Sequence, residues 1–582
     1  MSSFIVLTTV VLLIIALYSN LARPSVLFMI AVFVFLVFGI LKPEEIVKGL
    51  ANKQVIIIFL LVILAAGFKK EFGDGFFNYL FKPGLQPKQF LLRLMFFSSS
   101  CSAFINNTPI VAFMIPYVKD WADRRGLPAS KFMIPLCFAT VLGGMITVVG
   151  TSTNLLLNGL IAESGLTLLG YKDFLFIGLI VTILGVAYLY IVGYALLPVR
   201  KSATQEMAEN LNEYVVETIV EPSSILIGES IKTRLRSLKN IYLFEVLRNG
   251  RSIFPVSPEE IVFEGDRLYF SGKTGAIAQL VKDVKGLSLP DTTTLNKYRH
   301  HHFIEAIIPV NSNLIGKKVK GSDFRQRYNA SIIALHRQGK RIDGPVGDAI
   351  FGSGDLLLML GGNKMQNHQS ELLLLKRHDI QLPGRKRPLL NKIAPVVALA
   401  FLILGITRIM DLFLATSLAI LVFIAVRTLK LNDLKKSFDV NLAILLVASL
   451  AIGLALSKSG AANRVAAGVL NVSGTHPVAA IAMLFGVTIL ITSVISNTAT
   501  VAIVFPLAVS LAHQLHISNT PVFVAIAFAS SCAFMTPIGY QCNLMVSGPG
   551  NYSFSDFFKI GFPLTILYAA ACLIFISWYY NL

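Results

Sequence analysis

Phe104-Ile105-Asn106-Asn107-Thr108-Pro109 and Val494-Ile495-Ser496-Asn497-Thr498-Ala499 each interrupt a long apolar run, the first within Gln89–Tyr117 and the second within 478–512. A helix needs about 20 mostly apolar residues to cross the hydrocarbon core, and the pieces on either side of each break are shorter. The loop after the first run carries Lys119, Arg124, Arg125 and Lys131 against Asp120 and Asp123. Basic loops stay on the inner side. The chain therefore enters and leaves on one side, and 89–118 is predicted to be a re-entrant hairpin with its polar tip at membrane depth. Such backbone is tolerated only when buried in protein or lining a cavity.

The two breaks are spaced alike. Ser102, Asn107, Thr108 and Pro116 recur as Thr492, Asn497, Thr498 and Pro506. Each hairpin is followed by a span with its own polar interruption, Gly150-Thr151-Ser152-Thr153-Asn154 in 132–162 and Thr536-Pro537-Ile538-Gly539 in 521–547. Further spans are expected near 4–20, 25–42, 54–69 and 173–197, then 391–407, 412–427, 440–457 and 557–578. Each half then has five crossings plus a hairpin. An odd number inserts the second half upside down relative to the first, which is the inverted-repeat plan of secondary transporters, with the site at the midplane.

Composition agrees with a membrane protein. Of 582 residues 54% are apolar and 14% charged, against about a quarter charged in an ordinary globular protein. The net charge of +19 comes from Lys and Arg at span ends and in the central segment. Orientation explains it better than nucleic acid does. Arg23, Lys69-Lys70, Arg200-Lys201, Arg385-Lys386-Arg387 and the stretch Arg427 to Lys436 all fit inner loops. This puts both termini outside and the central segment in the cytoplasm of a multi-pass inner-membrane protein. Residues 4–17 lack a basic start and lead straight into another apolar run, so they are expected to be a retained helix rather than a signal sequence. Cys101, Cys137, Cys532, Cys542 and Cys572 show no metal or disulfide spacing.

The central segment, 205–380, alternates in the manner of strands and repeats at about 88 residues. Leu226-Ile227-Gly228 matches Leu314-Ile315-Gly316, Gly265-Asp266 matches Gly354-Asp355, and Leu247-Arg248-Asn249-Gly250 echoes His336-Arg337-Gln338-Gly339. Asn-Gly and Gln-Gly between apolar strands read as hairpin turns. Two small α+β domains, 205–290 and 291–380, are expected between membrane repeats at 1–200 and 388–582. They resemble the TrkA-C domain, the ligand-sensing module of potassium-uptake regulators, which implies a dimeric regulatory unit for a nucleotide or other small effector. A passive dimerisation platform is the alternative. His300-His301-His302 has no cysteine or carboxylate at ligand spacing and reads as linker.

Asn, Ser and Thr offer neutral donors and acceptors. At a broken helix the freed N–H groups favour an anion and the opposing carbonyls favour sodium. Proton-driven carriers place Asp, Glu or His within the membrane, whereas Asp120, Asp123, Glu163, Asp173, Asp439 and Asp556 sit at span ends or in loops. Sodium coupling follows. No TVGYG filter, HExxH or GxSxG motif or paired intramembrane carboxylates point to a channel or an enzyme.

At these residues both membrane halves resemble the divalent anion/sodium symporter family, whose signature is Ser-Asn-Thr in each of two opposed hairpins. The second motif matches in full, and in the first Asn106 replaces Ser. The resemblance implies substrate contacts from Asn106, Asn107, Thr108, Thr151, Ser496, Asn497, Thr498, Thr536 and Pro537. It implies one sodium at Ser102, Asn107 and the backbone near Gly150, and another at Thr492, Asn497 and the backbone near Met535, with Asn154 and Asn543 supporting the broken helices. No organic cofactor is implied. The Asn-Asn-Thr variant with paired TrkA-C domains resembles the sulfate branch, so sulfate or a similar divalent oxyanion is the expected substrate of a homodimeric symporter in the lipid bilayer. A dicarboxylate is the alternative cargo, and a sulfate sensor acting through the insert the alternative of another kind.

Overall fold

The computed structural model describes residues 2–19, 24–50, 53–71, 84–200, 215–234, 241–249, 251–253, 256–257, 259–272, 280, 284–289, 303–309, 312–328, 330–338, 340–342, 346–361, 371–375, 389–429, 440–474 and 476–582. Arg23, Arg385-Lys386-Arg387 and His300-His301-His302 lie outside the described residues.

The first membrane half consists of α1 (Ser2–Tyr18), α2 (Pro24–Val37), α3 (Pro43–Leu50), α4 (Lys53–Glu71), α5 (Pro87–Ser102), α6 (Asn107–Asp123), α7 (Met133–Gly144), α8 (Ser152–Glu163) and α9 (Lys172–Tyr188), the last running on through a π turn to Leu196. The second half has α10 (Leu389–Ile406), α11 (Leu412–Ala425), α12 (Val440–Lys458), α13 (Ala461–Ser473), α14 (Pro477–Thr492), α15 (Asn497–Gln514), α16 (Asn519–Ser531), α17 (Gln541–Ser547) and α18 (Phe554–Tyr579). Among the described residues two helices are long and apolar enough to cross a bilayer alone, Lys172–Leu196 and Phe554–Tyr579, beside eight shorter apolar helices. The sequence reading placed one span at 440–457. The structure adds α13 after a 71° bend, at which Gly460 takes φ +71°.

Both expected interruptions are helix breaks. α5 and α6 form one helical pair joined at residues 103–106, α14 and α15 another joined at 493–496, while α7/α8 and α16/α17 are separated by irregular backbone. The packing is reciprocal: α5 and α6 pack on α7, α14 and α15 on α16, α9 on α18, and across the halves α6 meets α17 while α15 meets α8. Glycines permit these approaches at matching places. A Cβ on Gly178 of α9 would stand 2.6 Å from Met145 O, and one on Gly561 of α18 would stand 2.0 Å from Phe534 O.

The insert holds two five-stranded sheets. With β1 (Val215–Val220), β2 (Ile241–Arg248), β3 (Arg251–Ile253), β4 (Arg267–Gly272) and β5 (Leu287–Ser288), the first has order β3-β2-β4-β1-β5. With β6 (Phe303–Ile307), β7 (Ala330–Arg337), β8 (Lys340–Arg341), β9 (Leu356–Gly361) and β10 (Leu373–Leu374), the second has order β8-β7-β9-β6-β10, the same topology. A bulge recurs at Leu243/Glu245 and Ile332/Ala334. The repeated motifs meet in space: Arg248 grips Asp266 through two bonds of 2.9 Å, and Arg337 grips Asp355 through two of 2.7 Å. Asn249 and Gln338 both have φ +49° at the hairpin turns read from sequence.

Candidate functional site

Each tip is organised by one asparagine held from behind. Ser102 closes α5 and its Oγ donates to Asn107 Oδ1. Asn107 is 1% exposed, and its Nδ2 donates to Tyr540 Oη at 2.7 Å, across the boundary between the halves. One residue on, Thr108 Oγ1 lies 3.5 Å from Gln541 Oε1. Gln541 is exposed, and Asn106 and Thr108 are half-buried. Asn106 caps α6 without a side-chain bond, which leaves the first-turn N–H groups of that helix free of a side-chain acceptor.

At the second tip Ser496 Oγ accepts from Ala499 N at 3.4 Å and caps α15. One end of the Asn497 carboxamide lies 2.9 Å from Thr492 Oγ1, 3.3 Å from Ser530 O and 3.2 Å from Gly539 O. Thr492 itself donates to Ser530 O at 2.6 Å. In the protein alone the amide nitrogen must face these three acceptors, whereas a bound cation would admit the oxygen. Gly539 O, from the turn that follows Met535, belongs to this group of oxygens. At the first tip a Cβ on Gly150 would stand 2.6 Å from Ser102 O and 2.4 Å from Gly144 O. Backbone carbonyls therefore crowd the ground beside Asn107 as well.

The broken helices match at an offset of 389 residues, and that register corrects one expectation. Thr147 Oγ1 donates to Ala103 O and accepts from Gly150 N at 3.1 Å. Thr536 Oγ1 donates to Ser493 O at 2.6 Å and accepts from Gly539 N at 3.0 Å. Asn154 Nδ2 donates to Thr147 O at 3.2 Å, as Asn543 Nδ2 does to Thr536 O at 2.9 Å. Thr536 is thus the counterpart of Thr147, and both brace the tip from behind. Thr151, which caps α8 by accepting from Thr153 N, has Tyr540 as its counterpart. Thr536 and Pro537 are buried, while Tyr540 and Gln541 reach the facing tip. Sequence reasoning missed Thr147, Tyr540 and Gln541. Aligning Asn154 with Asn543, instead of the two Gly-Thr and Thr-Pro steps, would have found them.

The tip residues of both hairpins are all uncharged. Carboxylates at the membrane ends are engaged elsewhere: Asp173 accepts from Tyr580 Oη at 2.8 Å, and Asp556 pairs with Arg200 at 2.8 Å. Neutral amides, hydroxyls and the N-termini of α6, α8 and α15 suit an anion whose charge is offset by cations bound beside them.

The chain matches the family model of citrate transporters (CitMHS) over residues 5–412 and 400–581. It is 31% identical over 561 residues to an uncharacterized transporter of Synechocystis sp., covering 92% of this chain and 90% of that one. A Chlamydomonas reinhardtii protein provisionally named a sulfur deprivation response regulator is 30% identical over 554 residues, covering 91% and 94%. Sodium/sulfate cotransporter 2 of the same alga is 26% identical over 369 residues, covering 61% of this chain and 42% of the relative.

Proposed function

Because the chain belongs to the CitMHS citrate transporter family, and so is an integral-membrane anion transporter and not an enzyme, we propose that it is a sodium-coupled symporter of sulfate or a similar compact divalent oxyanion. The contact of the first tip with the broken helix of the other half carries this reading. Asn107 and Thr108 of the first half touch Tyr540 and Gln541 of the second. The anion lies between the tips, held by Asn106, Thr108, Thr151, Ser496, Thr498 and Gln541 and by first-turn N–H groups. Sodium binds behind each tip, one ion by Ser102, Asn107 and the carbonyls around Gly150, the other by Thr492, Asn497, Ser530 O and Gly539 O. Two bound cations neutralise a dianion without any Arg or Lys at the tip.

The hairpins are re-entrant, the halves inverted, the insert cytoplasmic, the termini outside and the protein a homodimer on this reading. The two matching sheets of the insert support a pair of TrkA-C-like domains that receive a small effector. A tri- or dicarboxylate cargo is the second reading, favoured by the family's citrate description. Radiolabelled uptake into proteoliposomes separates them. Sulfate accumulation that requires an inward sodium gradient is expected. Citrate or succinate uptake without sulfate uptake would replace the cargo, and uptake driven by a pH gradient alone would remove sodium.

A further inference from the structure

The two lobes of the insert share topology, yet their equivalent edges do different things. In the first lobe Glu217 on β1 pairs with Arg267 on β4 at 2.5 Å, within the same sheet. In the second lobe the register places Glu305 where Glu217 stands and Leu356 where Arg267 stands. With a leucine at the position of Arg267, Glu305 also reaches out of the lobe. It pairs at 2.8 Å with Lys119 of α6, the two side chains being 0% and 1% exposed, and Asp123 of α6 lies 3.8 Å from the same ammonium. Leu356 is buried in the apolar core of the membrane helices, with Ile307 and Leu375 beside it.

The turn before Leu356 is also committed. A Cβ on Gly354 would stand 2.9 Å from Leu544 O of α17, and one on Gly548, just beyond α17, would stand 3.2 Å from Leu356 Cβ. Among the described residues, nothing lies within 4 Å of such a Cβ at the matching turn of the first lobe, at Gly265. The second lobe is therefore seated on α6 and α17, the two helices whose opposite ends make the Asn107–Tyr540 and Thr108–Gln541 contacts.

We propose that this surface is the coupling site between insert and transport machinery: the second lobe, keyed by Glu305 and Leu356, holds α6 and α17 together, and the contact between the halves opens only when that lobe shifts on α17. The proposal rests on the reading of the tips as the anion site. The first lobe, in which the equivalent glutamate pairs within its own sheet, is the one that responds to a ligand.

Leu356→Cys with Gly548→Cys places two thiols at nearly the Cβ separation that a disulfide needs. In the full-length protein reconstituted in proteoliposomes, oxidation should abolish anion uptake and reductant should restore it. Full cross-linking with unchanged uptake would overturn the proposal. If the reduced variant and the parent carry neither sulfate nor carboxylate, the cargo reading has failed, and hydrogen–deuterium exchange decides the coupling without any substrate. Exchange over 103–110 and 536–543 should slow on cross-linking. Unaltered exchange at both segments would overturn it. Charge exchange supplies an independent arm: Lys119→Glu and Glu305→Lys singly should each speed exchange over 103–110, and the double exchange should bring it back toward the parent rate. Single variants with parental exchange would overturn the ion pair's part in the coupling.

Discussion

Gly144→Ala tests the site while sparing the fold. A Cβ at position 144 would stand 2.4 Å from Asn107 Oδ1 and 3.2 Å from Asn107 Nδ2. The obstructing atoms are the far end of a side chain, so the carboxamide can turn away while the backbone stays. Turning it breaks the bonds to Ser102 and Tyr540, both at buried or half-buried groups. An unmade buried hydrogen bond costs about 1–3 kcal/mol, so two broken here destabilise the tip contact by roughly 2–6 kcal/mol. At 1.4 kcal/mol per factor of ten, uptake should fall by about 30-fold at the least. The fold should survive, because the counterpart in the second half is already Ala533, with Asn497 turned to Ser530 O and Gly539 O. Gly143→Ala is the contrast: its Cβ would meet the Ser99 backbone at 2.2 Å and should prevent folding. Gly486→Ala, with nothing among the described residues within 4 Å, should leave uptake and stability near the parent. The assay is radiolabelled anion uptake beside the thermal midpoint in detergent. Gly144→Ala at parental uptake, or lost only through unfolding, would refute the reasoning.

Tyr540→Phe removes the acceptor of the Asn107 amide and should cost about 1–3 kcal/mol, read as at least fivefold slower uptake with the thermal midpoint little moved. Asn107→Ala and Asn497→Ala should each abolish uptake in folded protein, and retained uptake in both would remove the tips from the mechanism. Lys119→Met removes the ammonium that faces the buried Glu305 and should destabilise the docked lobe by about 3–5 kcal/mol, seen as faster proteolysis of the insert; the double variant with Glu305→Gln should recover much of the loss. His336 is 6% exposed, and burial, then Arg341, push its imidazole down to about 4, opposed by Glu305. Its folded value lies below the unfolded value of about 6.5, so the unfolded chain binds the extra proton and stability is lost as pH falls from 6.5 towards 4. The loss approaches about 3 kcal/mol. Proteolysis of the insert should quicken across that window, and His336→Gln should flatten the profile.

Much of the architecture was legible because membrane insertion leaves few solutions. The run broken at Asn106-Asn107-Thr108 could not be an ordinary span, and Pro116 and Pro506 fixed its register against the second half. The lobes were legible for a similar reason: Asn249 and Gln338 adopt the left-handed backbone that a tight hairpin demands. The matched Arg and Asp positions proved to be partners within each lobe. What lay hidden was side-chain selection inside a match. Thr151 and Thr536 look like equivalents by type, yet equivalence is set by the amide that bridges the break, Asn154 or Asn543, and this assigns Thr147 and Tyr540 instead. The helix α13 was missed because it is amphipathic and follows a glycine bend rather than a polar loop.

The same logic operates at both scales of duplication. A repeat fixes where a side chain points, and a difference between copies shows what that position has been recruited to do. Asn154 and Asn543 share a backbone role, but Asn543 Oδ1 receives the Cys137 thiol at 3.0 Å, whereas Asn154 Oδ1 is buried without a donor among the described residues. Ile526 occupies the register position of Cys137 and has none to give. The first broken helix is therefore the less satisfied of the two, with an unpaired acceptor behind Thr147 and Gly150. An unpaired buried carbonyl lowers the cost of rearranging its neighbours, because fewer bonds must be broken. If opening begins at one end of the site, it should begin there. Ile526→Ser, which can offer that acceptor a donor, should then slow exchange over 145–152 while leaving 532–540 unchanged; equal protection of both segments would show that the halves open together.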